Sequence, residues 1–184
     1  MYTVKNLSAA SIEIKNSKFH SFLVSYNEIE KKLEELKNIH KKANHFVTAF
    51  RYLNKSNQII EHSNDDKEPR GSAGRPTLKV LQGYDLINVG VITIRYFGGI
   101  LLGVGNLARA YSDVAKNAVL NAKIIEYKDI FEYTFEVDYD KIKKIEYLIK
   151  KFNIFVIERG FGTEGIEYII RDDIEKINLI KENL

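Results

Sequence analysis

The sequence predicts an α+β protein of two domains, and three observations carry that reading. Runs of β-branched and aromatic residues alternate with stretches of helical periodicity. The pattern closes at Ala122 and restarts, with a boundary expected within residues 123–129 and domains over 1–125 and 126–184. Charge divides at the same place: residues 1–127 carry 18 Lys and Arg against 12 Asp and Glu, and residues 128–184 carry 10 against 13.

The elements follow in order. "SIEIK" and "KFHSFLVSY" alternate as the arms of a hairpin around the turn "NS". Ile29, Leu33, Leu36 and Ile39 recur at helical spacing and predict an amphipathic helix over Glu28 to Lys42. "HFVTAFRYL" and "QIIEHS" read as two strands joined by "NKSN". "NDDKEPRGSAGRP" is a loop by composition and holds both prolines. Pro76 suits the first turn of a short helix, "TLKVLQ", that Gly83 ends. "LINVGVITIRYF", Leu86 to Phe97, is the most β-branched run and predicts a central strand. Asn106 is placed to cap a helix whose stripe runs Leu107, Ala110, Tyr111, Val114, Ala115, Ala118 and Val119. Beyond Ala122, "FEYTFEVDY", "DKIKKIEYLIKKF", "NIFVIE", "GIEYIIR" and "DDIEKINLIKENL" give the order β-α-β-β-α. That is a ferredoxin-like plan without its usual last strand.

Composition excludes several chemistries. With no cysteine, there is no disulfide, thiol nucleophile or thiolate metal site. The first residues lack a basic segment followed by an apolar run, so no signal peptide is expected and a cytoplasmic setting is. Val89 to Ala108 holds a single charge, Arg95, but its β-branched half and its glycines suit a buried strand and loop rather than a membrane span.

Two loops hold the candidate chemistry. In the first, Asp65, Asp66 and Glu68 precede Arg70, Gly71, Ser72, Gly74 and Arg75. In the second, Arg95 and Tyr96 lead into Gly98, Gly99, Gly103 and Gly105, and Arg109 follows in what reads as the first turn of a helix. Free N–H groups at a helix start attract anions, and glycine lets a ligand approach the backbone. The same glycines also serve tight turns and close packing. A Walker A motif is not matched, because Val104 and Gly105 stand where Lys and Ser or Thr belong. Gly103, Gly105 and Ala108 fit a dinucleotide fingerprint, but the chain holds no second parallel unit. The carboxylates admit Mg²⁺ without EF-hand spacing. Ser72, His45 and Asp66 admit a hydrolase triad that no spacing demands.

"HFVTAFRY", "SNDDKEPRGSAGRP" and "VITIRYFGGILLGVGNLARAY" together resemble the signature of the IMPACT/YigZ family over about residues 15–122. The resemblance implies a first domain like the second domain of a small-subunit ribosomal protein and the fourth domain of elongation factor G. It implies a second domain like that factor's ferredoxin-like fifth domain. Eukaryotic members regulate translation through the general-control kinase pathway by way of an additional N-terminal domain. That role is not expected here, since the matching core begins close to Met1. A proline-dipeptidase label sometimes attached to bacterial members finds no metal-ligand set in this chain. The sequence departs from the family pattern at Lys67 and Asn106, both glycine in the pattern, and at Phe46-Val47, which is more polar there.

The resulting expectation is a cytoplasmic, non-enzymatic, translation-related regulator. It would bind RNA or the ribosome through the arginines and glycines of the two loops, with no cofactor, no resident metal and no membrane contact. Tyr96 or Phe97 would stack on a base. The alternative is an Mg²⁺-assisted enzyme acting on a phosphorylated small molecule or nucleotide. A protein partner and the oligomeric state stay open.

Overall fold

The computed structural model describes all residues, Met1–Leu184, and divides them into two units, Met1–Tyr127 and Lys128–Leu184. The first is built on a five-stranded antiparallel sheet. Its strands are β2 (Ser8–Ile14), β3 (Ser17–Ser25), β4 (His45–Leu53), β5 (Ile59–Asn64) and β6 (Val89–Tyr96), in the order β2-β3-β6-β4-β5. A separate antiparallel pair joins β1 (Tyr2–Val4) to β7 (Ile124–Glu126).

Side-chain alternation covers the sheet on both faces. Phe19 and Leu23 of β3, Val47 of β4 and Val89 and Val91 of β6 pack under α2 (Gly74–Gly83) and α3 (Val104–Leu120). Val24, Ile92 and Ile94, on the opposite face, pack under α1 (Ile29–Ile39). β6 is central and buried on both sides, which is why it reads as an unbroken apolar run. A β-carbon on Gly90 would lie 2.3 Å from Ile29 Cδ1, so glycine leaves room on the sheet for that side chain of α1.

The seven-residue apolar stripe of α3 is buried as its spacing predicts. Several boundaries move. The β2–β3 turn is Lys15–Asn16, both at positive φ, which gives the twist a two-residue hairpin needs; it is not Asn16–Ser17. β6 starts at Val89 instead of Leu86, because Asp85 and Asn88 are left-handed and break the strand. α1 is shorter than its amphipathic pattern and is preceded by a 3-10 turn, Tyr26–Glu28. α3 begins at Val104, so Arg109 lies in its second turn, not its first. Asn106 is not the cap: Gly103 holds that position, and Asn106 Nδ2 donates to the Leu102 carbonyl.

The second unit has three strands and two helices: β8 (Ile130–Asp138), α4 (Ile142–Lys151), β9 (Phe155–Phe161), β10 (Gly165–Asp173) and α5 (Ile174–Lys181). The antiparallel sheet runs β8-β10-β9, the ferredoxin-like arrangement. Phe135, Val137, Ile166, Tyr168 and Ile170 meet Ile145 and Ile149 of α4 and Ile177 and Ile180 of α5 in its core. Asp173 caps α5 through a bond from the Lys176 backbone N–H at 3.1 Å. No helix of the chain is long and apolar enough to cross a membrane.

Candidate functional site

The acidic loop turns its carboxylates inward. Asp65 Oδ1 accepts from the backbone N–H of Ala73 at 3.0 Å and of Gly74 at 2.8 Å, and Oδ2 from Gly71 at 2.7 Å. Ala73, at the N-cap of α2, has no side-chain oxygen, so Asp65 satisfies these donors from outside the helix. Asp66 Oδ2 accepts from Phe46 N at 2.6 Å, and the Asp66 carbonyl holds His45 Nδ1 at 2.7 Å. Ser72 Oγ donates to the Pro69 carbonyl at 2.6 Å, so Ser72, His45 and Asp66 form no triad.

Glu68 is almost fully buried and is the hub of the interior. Its Oε1 receives Arg95 Nη1 at 2.6 Å and the Tyr111 hydroxyl at 2.8 Å, with His45 Nε2 at 3.7 Å. Burial first, then the Glu68 carboxylate, pushes the Tyr111 hydroxyl far above the usual tyrosine range, so it stays a donor. The Arg95 guanidinium lies against the rings of Phe19 and Phe97, at 5.4 and 5.5 Å, and its Nε makes no hydrogen bond. The expectation of Arg95 as a phosphate contact is therefore corrected: its charge is neutralised inside the fold by Glu68.

The glycine loop is also largely architectural. A β-carbon on Gly98 would stand 2.1 Å from the Asn16 carbonyl carbon, and Gly98 N donates to Ser17 Oγ at 3.1 Å, which ties the loop to the β2–β3 turn. A β-carbon on Gly74 would meet Asn64 N at 2.8 Å. Gly99 and Gly103 hold positive φ, while Gly105 sits in the first turn of α3 with open space around it. Tyr96 faces the α1 side of the sheet, where its hydroxyl bonds His40 Nδ1 at 2.8 Å. It is not brought together with the arginines of the face that α2 and α3 cover.

What does converge is basic. Arg75 and Lys79 on α2 and Arg109 on α3 line a groove of about 540 Å³ with Gly71, Pro76, Ala108 and Ser112. Arg75, Lys79 and Arg109 are exposed, as is nearby Arg70 in sequence, and none of the four makes an ion pair. The surface pair between Arg109 and Asp113 that their spacing allows is not formed.

The model of the Impact N-terminal domain matches residues 15–119 of the sequence. The chain belongs to the IMPACT family. It is 31% identical to the IMPACT family member YvyE of Bacillus subtilis, over 98% of this chain and 83% of that protein. It is 32% identical to an IMPACT family member of Haemophilus influenzae, over 81% of this chain and 74% of the other. A crystal structure of a hypothetical protein shares the fold, at TM-score 0.67 and 24% identity, across 98% of this chain and 89% of its own.

Two features of this IMPACT-family chain escape a reading of its motifs. Lys79 lies outside the glycine- and arginine-rich loops, and only its i,i+4 spacing from Arg75 hints that both reach one groove. The glycine loop also raises an apolar rim, in which Ile100, Leu101 and Val104 join the exposed Phe97, with Leu101 at 83%. Lys67 holds the left-handed conformation that glycine adopts freely, with φ of 70°.

Proposed function

We propose that this protein is a non-enzymatic, translation-related regulator of the cytoplasm that binds RNA, free or in the ribosome, through the groove between α2 and α3. The observation that carries the proposal is the groove itself. Arg75, Lys79 and Arg109 converge there without a carboxylate partner, and exposed Arg70 directly precedes the lining Gly71 in sequence. Unpaired cations on a shallow surface suit a phosphate backbone, which affords orientation and most of the affinity. The net +6 of residues 1–127 supports a polyanionic partner, and family membership supports the link to translation. Exposed Phe97, Ile100, Leu101 and Val104 offer apolar contact for bases at and just before the start of the helix that carries Arg109. Asp65, Asp66 and Glu68 are engaged in holding the fold, which speaks against a role for them in Mg²⁺-assisted phosphate chemistry.

The test is fluorescence anisotropy with labelled RNA and DNA oligomers at low and physiological salt. Binding that weakens steeply with salt, and that an Arg75→Ala/Lys79→Ala/Arg109→Ala variant loses, is the expected result. Absence of binding at low salt, or equal binding by the variant, overturns the proposal.

A further inference from the structure

We infer that the free edge of β8 accepts an extended, basic segment of a partner protein as an added strand of the second unit's sheet. β8 pairs with β10 on one side and with no strand on the other. The nine residues of β8 pair with β10 without a register shift, so the edge carries no bulge and its outward N–H and C=O groups form a regular template. The opposite edge, β9, is broken by an irregularity against Ile169/Ile170. Bulges of this kind protect edges from pairing. β8 contains neither a proline nor a lysine, and so lacks two further devices that blunt an edge.

Charge selects the occupant. The sheet face away from the helices carries Glu132 and Glu136 on β8, Glu167 on β10 and Glu158 on β9. Its one base, Arg171, is already paired with Glu132. Glu136, Glu158 and Glu167 make no ion pair, whereas the lysines of this unit concentrate on α4 and α5, across the sheet. An added strand would set alternate side chains directly beside Glu132 and Glu136, and lysine or arginine there makes favourable cross-strand pairs. A nucleic acid is repelled by the same carboxylates. A second copy of β8, paired antiparallel about Thr134, would set Glu132 against Glu136.

The experiment uses the full chain and a synthetic peptide as long as β8, with lysine at every second position and valine or threonine between. A control keeps the lysines and places prolines between them, which preserves the charge and prevents strand pairing. Affinity is read by calorimetry, and location by hydrogen exchange of backbone amides. The expected result is binding about tenfold tighter for the first peptide than for the control, new amide protection within residues 130–138, and loss of that preference in Glu132→Lys/Glu136→Lys. Equal binding of both peptides, protection elsewhere, no binding at low salt, or β8 protection by RNA or by self-association overturns the inference. Failure here leaves the groove between α2 and α3 untouched, since the readouts lie in different units.

Discussion

Arg95 Nη1 lies 2.6 Å from Glu68 Oε1 in the interior of the first unit, with both side chains almost wholly removed from solvent. A pair in that setting is compensated only while both members are present. Glu68→Ala leaves a buried guanidinium without a counter-charge and strips the Tyr111 hydroxyl of its acceptor. The expected loss is about 3–5 kcal/mol of unfolding free energy, read from urea denaturation. Replacing both partners by apolar residues, Glu68→Leu/Arg95→Met, is expected to cost less than Glu68→Ala alone. A double variant less stable than the single one would show that the pair contributes net stability.

Asp65 offers a direct contrast between a structural and a metal-binding carboxylate. It accepts three backbone N–H groups at the start of α2 and in the loop before it. Asp65→Ala is expected to lower stability by about 1–3 kcal/mol, as buried or capping donors lose their acceptor. The thermal midpoint should fall by the same amount with and without Mg²⁺. A deficit that appears only with Mg²⁺ would return this carboxylate to the metal reading.

Much of this architecture is legible in the sequence where periodicity is strong. The β-branched run of β6 and the small-residue stripe of α3 declare a central strand and a helix laid on it, because burial on one or both faces imposes those periods. The candidate site is less legible, because its decisive contacts are distant in sequence. Glu68 meets Arg95 across 27 positions and Tyr111 across 43, and no local pattern marks that a charged motif residue faces inward. β1 and β7 are three residues each and meet only because the chain ends of the first unit lie together. Asn106 has the residue type of a cap, yet Gly103, at positive φ, turns the chain three residues earlier.

The glycines of the second loop should separate by substitution. Gly98→Ala drives a β-carbon into the backbone of Asn16 and is expected to cost several kcal/mol, on the order of an overpacked core position. Gly105→Ala meets nothing within 4 Å inside a helix and is expected to raise stability by up to about 1 kcal/mol. Lys67→Gly relieves a left-handed side chain and is expected to be neutral or stabilising by up to about 1 kcal/mol. Thermal denaturation of the three variants checks the order, and a Gly98→Ala protein as stable as the parent would remove the packing account of this loop.

The second unit should lose stability at both ends of the pH scale. Burial, then the bond to Glu146 Oε1, pushes the Tyr168 hydroxyl up to about 12 from the ordinary tyrosine value of 10.0. The fold thus holds this proton longer than the unfolded chain does. Its contribution is complete below pH 10 and disappears as pH rises from 10 towards 12. The hydrogen bond from Lys128 holds Asp173 below 3.8, with the Lys176 N–H adding to it, so that contribution is present above pH 3.8 and is lost as pH falls through the folded value. Tyr168→Phe should remove its part of the alkaline loss and Asp173→Asn its part of the acid loss in denaturation curves taken across pH. An unchanged limb in either variant would assign it to other groups.

Arg95 and Arg109 look equivalent as sequence, each an arginine flanking the glycine loop, but the structure gives them opposite environments. Arg95 is buried against Glu68; Arg109 is exposed in a groove with Arg75 and Lys79 and has no carboxylate partner. Arg109→Ala is therefore expected to leave the unfolding free energy within about 0.5 kcal/mol of the parent. It should weaken RNA binding and reduce the slope of log affinity against log salt by roughly 0.7–0.9, the share of one phosphate contact. Arg95→Ala should do the reverse, lowering stability strongly through the uncompensated Glu68 carboxylate while leaving the salt slope of any protein that remains folded unchanged. Measuring both variants by denaturation and by salt-dependent anisotropy decides the matter. A loss of salt slope in Arg95→Ala with stability intact would mean that its guanidinium reaches the ligand, and that the groove's true floor lies at the glycine loop rather than between the helices.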